Sequence, residues 1–414
     1  MQLQLYKPSV PVSGKIELPG SKSISNRVLI IKALSGINFS ILNLSDSDDT
    51  NHLKDALENY NHSSIIDVGH AGTDMRFLTA FLSLKNGDYQ LTGSERLQQR
   101  PIKDLVDVLR ILGADITYKK NDGFPPLQIK GKQLQGGSVE ISGKVSSQFI
   151  SALLLVAPYF TDGLEITIIS ELVSKPYVSM TIEIMREFGA TVEWHENKIK
   201  VSPVPYSYSK ANYIVESDWS AASYYYSIVA LSKVGTQLTI QNLFKKSLQA
   251  DSACADIYEN FGVTTTFLDN EIIILKSGDA NKSKLKLDFI QCPDITQTVV
   301  CTCVGLQIPF QFIGLQTLKV KETDRILALR NEIKKLGIEI IVSDKTIDFE
   351  VTSPIVSDKI ISIGTYNDHR MAMSFAPLSL LIETIIIEDA KVVSKSYPLF
   401  WEHLKQIGIN QILV

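Results

Sequence analysis

Five segments of the chain share one pattern, in which a helix-like run leads to a bulky apolar residue, a glycine and a short strand-like run. Their glycines recur at intervals of 76, 73, 75 and 71 residues: Gly113, Gly189, Gly262, Gly337 and Gly408. Glycine just past a helix adopts the left-handed conformation at low cost, so each is predicted to end a helix. A shorter, degraded copy at residues 55–68 brings the predicted number of units to six.

Each unit is predicted to contain a second helix that opens on small or polar residues and continues with apolar residues at helical spacing. The predicted starts lie near Ser21, Gly72, Ser146, Asp218, Asp294 and Asp368. Strand-like runs such as LEITIIS and EIIILK separate the helices. This order predicts an α/β protein. Because the repeat is longer than that of a solenoid, the six units are predicted to form two compact groups of three.

Two crossings between these groups are predicted. One is the segment rich in proline, serine and tyrosine at residues 201–218, and the other is Leu18-Pro19-Gly20. We therefore predict a discontinuous domain of residues 1–20 and 216–414, and an inserted domain of residues 21–215. A cleft between two domains is a preferred place for a small-molecule site.

The charge balance argues against several classes of function. The 414 residues carry a formal net charge of −4, whereas nucleic-acid and membrane-surface binders usually carry a basic excess. No apolar run approaches the roughly 20 residues that span a bilayer, and the N-terminus lacks a signal-peptide pattern. Cysteines at 254, 292, 301 and 303 lack metal-binding spacing and fit buried thiols in a reducing compartment. We expect a cytoplasmic protein without metal or cofactor.

Polar and charged side chains cluster at the predicted helix starts. A helix N-terminus offers unpaired N–H groups and a partial positive charge, so it binds phosphate or carboxylate. Lysine, arginine and serine at many such ends predict a cavity for a substrate with several negative charges, where arginine can bind carboxylate or phosphate in bidentate fashion. Any one cluster alone could equally be a helix cap with solvated charges. Their recurrence in register with the repeat favours binding.

Eight motifs, in chain order, resemble those of the 3-phosphoshikimate 1-carboxyvinyltransferase (EPSP synthase) family: PGSKSISNR, AGTDMR, LTGSERLQQRP, VSSQF, VSKPY, KETDR, NDHRMAM and SKSYP. The resemblance extends from about residue 7 to the C-terminus. It implies two domains of three βαβαββ units each, an inside-out α/β barrel. It also implies a monomer that transfers the enolpyruvyl group of phosphoenolpyruvate to the 5-hydroxyl of shikimate 3-phosphate, in aromatic amino-acid biosynthesis.

The resemblance further implies which residues bind the two substrates. Phosphoenolpyruvate would be bound by Lys22, Gly72, Arg100, Gln148, Arg325, Arg370 and Lys395. Shikimate 3-phosphate would be bound by Lys22, Ser23, Arg27, Ser146, Ser147, Gln148, Ser174, Tyr177, Asp294 and Lys321. The first group contains the cations for a phosphate and a carboxylate, and the second contains hydroxyls for the 3-phosphate.

Addition followed by elimination, the chemistry implied by the resemblance, needs a base near the 5-hydroxyl and an acid near C3 of phosphoenolpyruvate. Asp294 and Lys22 are the candidates at the hydroxyl, and Glu322 is the candidate at C3. A carboxyl group that gives and takes a proton should have a pKa raised towards neutrality. The pKa of Glu322 is therefore predicted to be raised in the complex with substrate.

Two alternatives were weighed. UDP-N-acetylglucosamine enolpyruvyl transferases typically carry a cysteine acid in the first domain, but no cysteine precedes Cys254 here. A non-catalytic anion-binding protein would be expected to lose proton-transfer or cationic residues, and all of these are present.

Three positions depart from the family pattern: His70 and Thr317 stand where asparagine is usual, and Trp219 where a smaller residue is common.

Overall fold

The computed structural model describes residues 1–144, 146–172 and 174–414, with the backbone alone at Val320. Residues 145 and 173, which open the motifs VSSQF and VSKPY, lie outside the described residues. The helices are α1 (Lys22–Ser35), α2 (Asp48–Asn59), α3 (Gly72–Ser83), α4 (Glu95–Gln98), α5 (Lys103–Ile111), α6 (Ser147–Val156), α7 (Lys175–Glu187), α8 (Trp219–Leu231), α9 (Cys254–Glu259), α10 (Thr296–Leu306), α11 (Arg325–Lys335), α12 (His369–Phe375) and α13 (Phe400–Gln406).

The strands are β1 (Leu3–Tyr6), β2 (Gly14–Ile16), β3 (Ser40–Leu42), β4 (Ile65–Asp67), β5 (Gly87–Thr92), β6 (Asp115–Tyr118), β7 (Leu127–Gly131), β8 (Gly137–Ile141), β9 (Leu164–Ile168), β10 (Val192–His195), β11 (Lys198–Val201), β12 (Asn212–Ile214), β13 (Gln237–Gln241), β14 (Val263–Phe267), β15 (Glu271–Lys276), β16 (Leu285–Asp288), β17 (Phe310–Ile313), β18 (Ile341–Val342), β19 (Ile347–Phe349), β20 (Ile360–Ile363), β21 (Thr384–Ile387) and β22 (Gln411–Leu413). Short 3₁₀ helices occur at Ala157–Tyr159, Ala250–Ala253, Pro293–Ile295, Gln316–Val320, Ala376–Leu380 and Ala390–Lys395.

The chain divides into two compact units. The terminal unit consists of Met1–Pro19 and Glu216–Val414, and the inserted unit consists of Gly20–Val215. Each unit has its own hydrophobic core of buried aliphatic and aromatic side chains. No helix in the described part of the chain is long and apolar enough to cross a membrane.

One βαβαββ arrangement recurs through both units. Its first two strands are parallel and flank a helix, and its last two strands pair antiparallel after a second helix. The sheets of the terminal unit have the strand orders β14-β15-β13-β2, β16-β17-β19-β18 and β20-β21-β1-β22. Those of the inserted unit have the orders β4-β5-β7-β6 and β10-β11-β9-β8, with a two-stranded sheet of β12 and β3. The N-terminal strands β1 and β2 complete two sheets of the terminal unit.

The degraded copy of the repeat differs from its prediction. The helix of this copy is α2, which ends at Asn59, but the following strand β4 pairs with β5 in the next sheet. The chain continues from β4 directly into α3, so no second strand is available for a hairpin. The first repeat of the inserted unit therefore consists of β12, β3, α1 and α2, with two strands.

The five repeat glycines end helices as predicted. Each follows one of α5, α7, α9, α11 and α13, and each has a positive φ, from 71° at Gly262 to 102° at Gly113. An added Cβ at Gly262 would lie 2.2 Å from the carbonyl oxygen of Gly278, so the space as well as the backbone conformation excludes a side chain there. The prediction from the glycine spacing is confirmed at all five positions.

The predicted starts of the other helices are confirmed. Ser146 caps α6 by accepting a hydrogen bond from the Gln148 N–H at 3.3 Å, and Asp218 and Asp368 cap α8 and α12 in the same way. Near Asp294, the 3₁₀ turn Pro293–Ile295 leads directly into α10, which starts at Thr296. The carboxylate of Asp294 binds cations from other elements, so it is not available as a cap.

Candidate active site

In the inserted unit, Lys22 lies at the start of α1 and forms an ion pair with a residue that the sequence analysis missed. Its Nζ is 2.9 Å from the Oδ2 of Asp49, in the first turn of α2. Ser47 caps that helix by accepting from the Thr50 N–H at 3.3 Å. The acidic run after Ser47 in the sequence indicates a helix start, but the partner of its carboxylates becomes known only from the fold.

Arg27 connects the starts of three helices in the inserted unit. Its Nε donates to Thr181 Oγ1 at 2.7 Å, and its terminal nitrogens donate to the carbonyl oxygens of Ser23 and Tyr177 at 2.7 and 3.2 Å. A further bond of 3.3 Å joins it to Ser151 Oγ. Burial lowers the pKa of Arg27 to about 10, although Tyr177 opposes this shift. These bonds hold the first turns of α1 and α7 beside α6.

Two arginines, Arg76 and Arg100, lie beside Gly72 at the start of α3. Arg76 donates to the carbonyl oxygens of Gly72 at 3.0 Å and Pro101 at 2.9 Å, which fixes the chain next to Arg100. Burial lowers the pKa of Arg76 well below its usual value, and the charge of Arg100 lowers it further. Within the described residues, neither guanidinium makes an ion pair with a carboxylate. The arrangement therefore suits an external anion.

Hydroxyl groups lie at the starts of α6 and α7. Ser146 caps α6. In the first turn of that helix, Gln148 donates through Nε2 to Thr73 Oγ1 at 3.0 Å. Ser147 is the first residue of α6. Ser174, directly before α7, has a left-handed backbone with φ of 59° and makes no capping bond through its side chain. Such a conformation is costly for a residue other than glycine and is often found at functional sites.

In the terminal unit, Asp294 is surrounded by cations. Its Oδ2 lies 3.1 Å from a terminal nitrogen of Arg370, and its Oδ1 lies 3.1 Å from Arg325 and 3.4 Å from Lys321. Burial raises the pKa of Asp294, but the charges of Arg370, Lys321 and Arg325 outweigh burial and the repulsion from Glu322. The net pKa is well below the usual value, so this carboxyl is ionised at neutral pH.

Glu322 is held by two cations in the structure, and the raised pKa expected in the complex with substrate stays a prediction. Its Oε1 lies 2.7 Å from Lys395 Nζ, and its Oε2 lies 3.0 Å from Arg325. Burial raises the pKa of Glu322, but the charges of Lys395, Arg325 and His369 lower it well below its ordinary value. Without substrate, Glu322 therefore carries no proton to donate.

Arg325 connects three carboxylates at the start of α11. Besides Asp294 and Glu322, it donates through Nε to Asp368 Oδ2 at 2.7 Å. Asp368 is fully buried and also accepts from the backbone N–H of Arg370 at 2.9 Å. The sequence analysis did not include Asp368 among the site residues, although the motif NDHRMAM contains it. These contacts fix the backbone from which Arg370 extends.

His70 and Thr317, two positions that depart from the family pattern, differ in their hydrogen bonding. His70 replaces an asparagine, and its Nδ1 lies 2.8 Å from the Oγ of Ser94. Thr317 replaces another asparagine, and its buried Oγ1 has no hydrogen-bond partner among the described residues.

The third departure, Trp219, is part of the core. Its side chain is fully buried, and its Nε1 donates to the Oε1 of Glu216 at 2.9 Å. The neighbouring Asp218 accepts from the backbone N–H of Ala221 at 3.1 Å. These contacts explain both residues by packing and helix capping.

The repeated arrangement of strands and helices, with cationic and hydroxyl groups at helix starts, defines an α/β protein with side chains suited to binding anions. The family model for EPSP synthase (3-phosphoshikimate 1-carboxyvinyltransferase) matches residues 6–62 and 58–404. A curated 3-phosphoshikimate 1-carboxyvinyltransferase of Bacteroides fragilis is 46% identical over 420 residues, covering 99% of this chain and 98% of the relative. One of Vibrio cholerae serotype O1 is 37% identical over 433 residues, covering 99% and 100%. The chain belongs to the EPSP synthase family.

Solved structures agree on the fold. An EPSP synthase from Acinetobacter baumannii superposes with a TM-score of 0.80 at 22% sequence identity, covering 100% of this chain and 99% of that one. At this identity the likeness speaks for the fold. The predicted enolpyruvyl transferase-like α/β fold is confirmed.

Proposed function

We propose that the protein transfers the enolpyruvyl group of phosphoenolpyruvate to the 5-hydroxyl of shikimate 3-phosphate, releasing phosphate, and that the residues described above carry the reaction. The observation that supports this best is the ionic cluster around Glu322 and Asp294. Two carboxylates able to exchange protons are held by cations that a substrate phosphate and carboxylate can take over.

Phosphoenolpyruvate is assigned to cationic side chains, as the resemblance implies. Its phosphate is assigned to Lys22, Arg100 and Lys395, and its carboxylate to Arg325 and Arg370. Gly72 and Gln148 complete the set. The absence of a carboxylate beside Arg100 among the described residues supports this role, because an unpaired cation near a buried one gains most from an anion.

Shikimate 3-phosphate is assigned to the helix starts joined by Arg27. Its 3-phosphate is assigned to the hydroxyls that precede or open α6 and α7, where N–H groups and the helix dipole favour an anion. These are Ser146, Ser147 and Ser174. The ring and its carboxylate are assigned to Ser23, Arg27, Gln148, Tyr177, Asp294 and Lys321.

The proposed reaction has two steps. In the addition, the 5-hydroxyl oxygen bonds to C2 of phosphoenolpyruvate and gives its proton to the carboxylate of Asp294, or to Lys22 in its neutral amine form, while C3 takes a proton from Glu322. In the elimination, the C2–O bond to phosphate breaks and C3 returns a proton to Glu322. The cations offset the charge that develops on the departing phosphate.

Substrate binding must change the protonation of Glu322 for this sequence to work. A phosphate that takes Lys395 and a carboxylate that takes Arg325 remove the two contacts that now hold the pKa of Glu322 low. The substrate also adds negative charge nearby, which favours the protonated carboxyl further. We therefore propose that Glu322 becomes a proton donor only when phosphoenolpyruvate is bound.

The acceptor specificity has a direct test. We expect phosphate release from phosphoenolpyruvate with shikimate 3-phosphate, none with UDP-N-acetylglucosamine, and no loss of rate in a buffer containing a chelator. The measurement is inorganic phosphate against time for each acceptor. Release with the nucleotide sugar alone would assign the protein to the other enolpyruvyl transferases, and no release with either would support the non-catalytic alternative.

Gly72→Ala is expected to raise the KM for phosphoenolpyruvate by about tenfold and to leave the KM for shikimate 3-phosphate nearly unchanged. An added Cβ would lie 2.4 Å from a terminal nitrogen of Arg100, so the guanidinium must move away from the assigned phosphate position. Steady-state kinetics with each substrate varied in turn provides the measurement.

Gly278→Ala is the matched control for this change, because an added Cβ at Gly278 meets no atom within 4 Å. An unchanged KM for phosphoenolpyruvate in Gly72→Ala would contradict the assignment of Arg100.

The cellular location and oligomeric state are part of the same proposal. All four cysteines are buried and free. Free thiols fit a reducing compartment, so we propose a cytoplasmic protein, acting as a monomer because each substrate-binding group is supplied by this chain. Light scattering of the purified protein measures the state, and a dimer would contradict that part.

A further inference from the structure

A loop between β13 and α9 is attached firmly to the start of α8. The carboxylate of Glu216 accepts from Ser247 Oγ at 2.7 Å, Gln249 Nε2 at 2.9 Å and the Phe244 N–H at 3.3 Å. Gln249 in turn accepts from the backbone N–H of Trp219 through Oε1 at 3.1 Å. These bonds determine where the following 3₁₀ turn, Ala250–Ala253, is placed.

The turn carries Asp251, a buried carboxyl group that has no role in the reaction as proposed above. Its Oδ2 accepts a hydrogen bond from Ser220 Oγ, and the same Oγ accepts from a terminal nitrogen of Arg370 at 3.3 Å. Its Oδ1 is buried without a hydrogen-bond partner in the described parts of the chain. A hydrogen-bonded path therefore leads from Asp251 through Ser220 to Arg370.

We propose that Asp251 is a positioning residue for the enolpyruvyl transfer: through the hydroxyl of Ser220, it holds Arg370 in the orientation that binds the carboxylate of phosphoenolpyruvate. The inference rests on the proposed role of Arg370. A serine hydroxyl has one proton to donate. Because Asp251 accepts that proton, the lone pairs of the Ser220 oxygen are directed towards Arg370, which can only donate.

Through this path, Ser220 gives Arg370 a hydrogen bond that does not depend on Asp294. The backbone oxygen and Oδ2 of Asp294 accept from the two terminal nitrogens at 3.2 and 3.1 Å, but Asp294 is itself assigned to the acceptor substrate. When Asp294 turns to the 5-hydroxyl, Ser220 still holds the guanidinium. Because of Asp251, Arg370 stays in position while Asp294 takes part in proton transfer.

The charged and titratable groups that face Asp251 are Asp294, Arg370, Asp218, Cys254 and Cys292. Burial, with the charges of Asp294 and Asp218, raises the pKa of Asp251 to about 7, against the opposing effects of Arg370 and the Ser220 bond. A proton taken up at Oδ1 leaves Oδ2 free to accept from Ser220. Positioning therefore persists at lower pH, while the negative charge that competes for Arg370 is lost.

The test uses two substitutions of Asp251 with different consequences. Asp251→Leu removes the acceptor, and we expect the KM for phosphoenolpyruvate to rise about tenfold, with the KM for shikimate 3-phosphate unchanged. Asp251→Asn keeps an acceptor oxygen but cannot titrate. Relative to this variant, the wild type should show a KM for phosphoenolpyruvate that increases as the pH rises from 6 to 8. If the role of Asp251 were purely structural, the KM for phosphoenolpyruvate would change with pH in the same way in the wild type and in Asp251→Asn.

Two further variants identify the path. Ser220→Ala should raise the KM for phosphoenolpyruvate as much as Asp251→Leu, and the double variant should be no worse than either, because both interrupt one path. Ser220→Ala also serves if Asp251→Leu does not fold. Asp256→Asn is the matched control, since Asp256 is exposed in the helix that follows the turn.

The variant Arg370→Lys distinguishes a failure of the role assigned to Arg370 from a failure of the role proposed for Asp251. If this variant leaves the KM for phosphoenolpyruvate unchanged, the assigned role of Arg370 is wrong. If it raises that KM but Ser220→Ala and Asp251→Leu do not, the role of Asp251 is overturned while the proposed function stands. Fully additive effects of Ser220→Ala and Asp251→Leu would also overturn it.

Discussion

Replacing Glu322 by glutamine is expected to lower kcat by about 1,000-fold, within the range by which a general acid and base contributes to catalysis. The amide keeps the size of the side chain, and its single oxygen can still accept from Lys395 or Arg325, but it cannot supply a proton to C3 or take it back. The loss should therefore appear in kcat, with the KM values for both substrates changed much less.

The measurement is steady-state phosphate release with both substrates saturating, from pH 5.5 to 9. Glu339→Gln is the matched control, because Glu339 is exposed in the same unit. A kcat within tenfold of the wild type in Glu322→Gln would remove Glu322 from the proton transfers. A loss confined to KM would instead assign it to substrate binding.

The exchange of hydrogen with solvent gives a second readout for the same residue. Protonation and deprotonation of C3 by Glu322 introduce solvent deuterium into the methylene group when the reaction runs in D₂O. We expect the exchange to fall together with kcat in Glu322→Gln. Exchange that persists at the wild-type rate in the variant would show that another group carries the proton.

Replacing Arg325 by methionine is expected to destabilise the protein by about 3–5 kcal/mol, because it leaves buried carboxylates without their shared cation. Arg325 contacts Asp294 at 3.1 Å, Glu322 at 3.0 Å and Asp368 at 2.7 Å, and it is 1% exposed. Methionine matches the length of the side chain without the charge, so packing changes less than electrostatics. Activity should be lost as well, since the carboxylate of phosphoenolpyruvate is assigned to this guanidinium.

The destabilisation should depend on pH in a definite direction. Asp294 and Glu322 have pKa values below their ordinary values of 3.8 and 4.5, so in the wild type they stabilise the folded protein above those values. This stabilisation disappears as the pH falls through the lowered pKa values of the folded protein. Arg325→Met lacks much of it at any pH. The gap between the two proteins should be widest near pH 7 and should narrow below about pH 4.

Urea-induced unfolding at several pH values measures this gap. Arg330→Met is the matched control, since Arg330 is exposed on the same helix, α11, and substitutions of exposed residues usually change stability by less than about 0.5 kcal/mol. A loss below about 1 kcal/mol at pH 7 for Arg325→Met, or a gap that widens towards acid pH, would contradict the proposed electrostatic role.

The repeated architecture could be predicted because it depends on local conformational demands. A glycine that ends a helix with positive φ, as at Gly189 and Gly337, is required by the backbone itself and recurs wherever the unit recurs. Caps such as Ser146 and Asp218 act within three residues of their helix. The helix predicted near Asp294 is α10, but only the fold shows that the Asp294 carboxylate binds distant cations instead of capping it.

The candidate site was predicted as a set of residues, but its chemistry was not. The pairs Glu322–Lys395 and Asp294–Arg370 join residues 73 and 76 positions apart, and Arg325 meets Asp368 across 43 positions. A pKa depends on which charges lie within a few ångströms and on how much water is excluded. The sequence therefore contains no direct measure of it, and only the fold shows that Lys395, Arg325 and His369 lower the pKa of Glu322.

The amino-acid sequence by itself determined the repeat, the helix starts and the collection of cationic and acidic groups, because these follow from backbone conformation, capping and residue chemistry over short stretches. The tertiary structure alone decided which carboxylate meets which cation, that Glu322 is ionised without substrate, and that Asp251 reaches Arg370 through Ser220. The physical reason is that electrostatic and hydrogen-bond energies depend on distance and burial, which are set only when distant segments of the chain pack together.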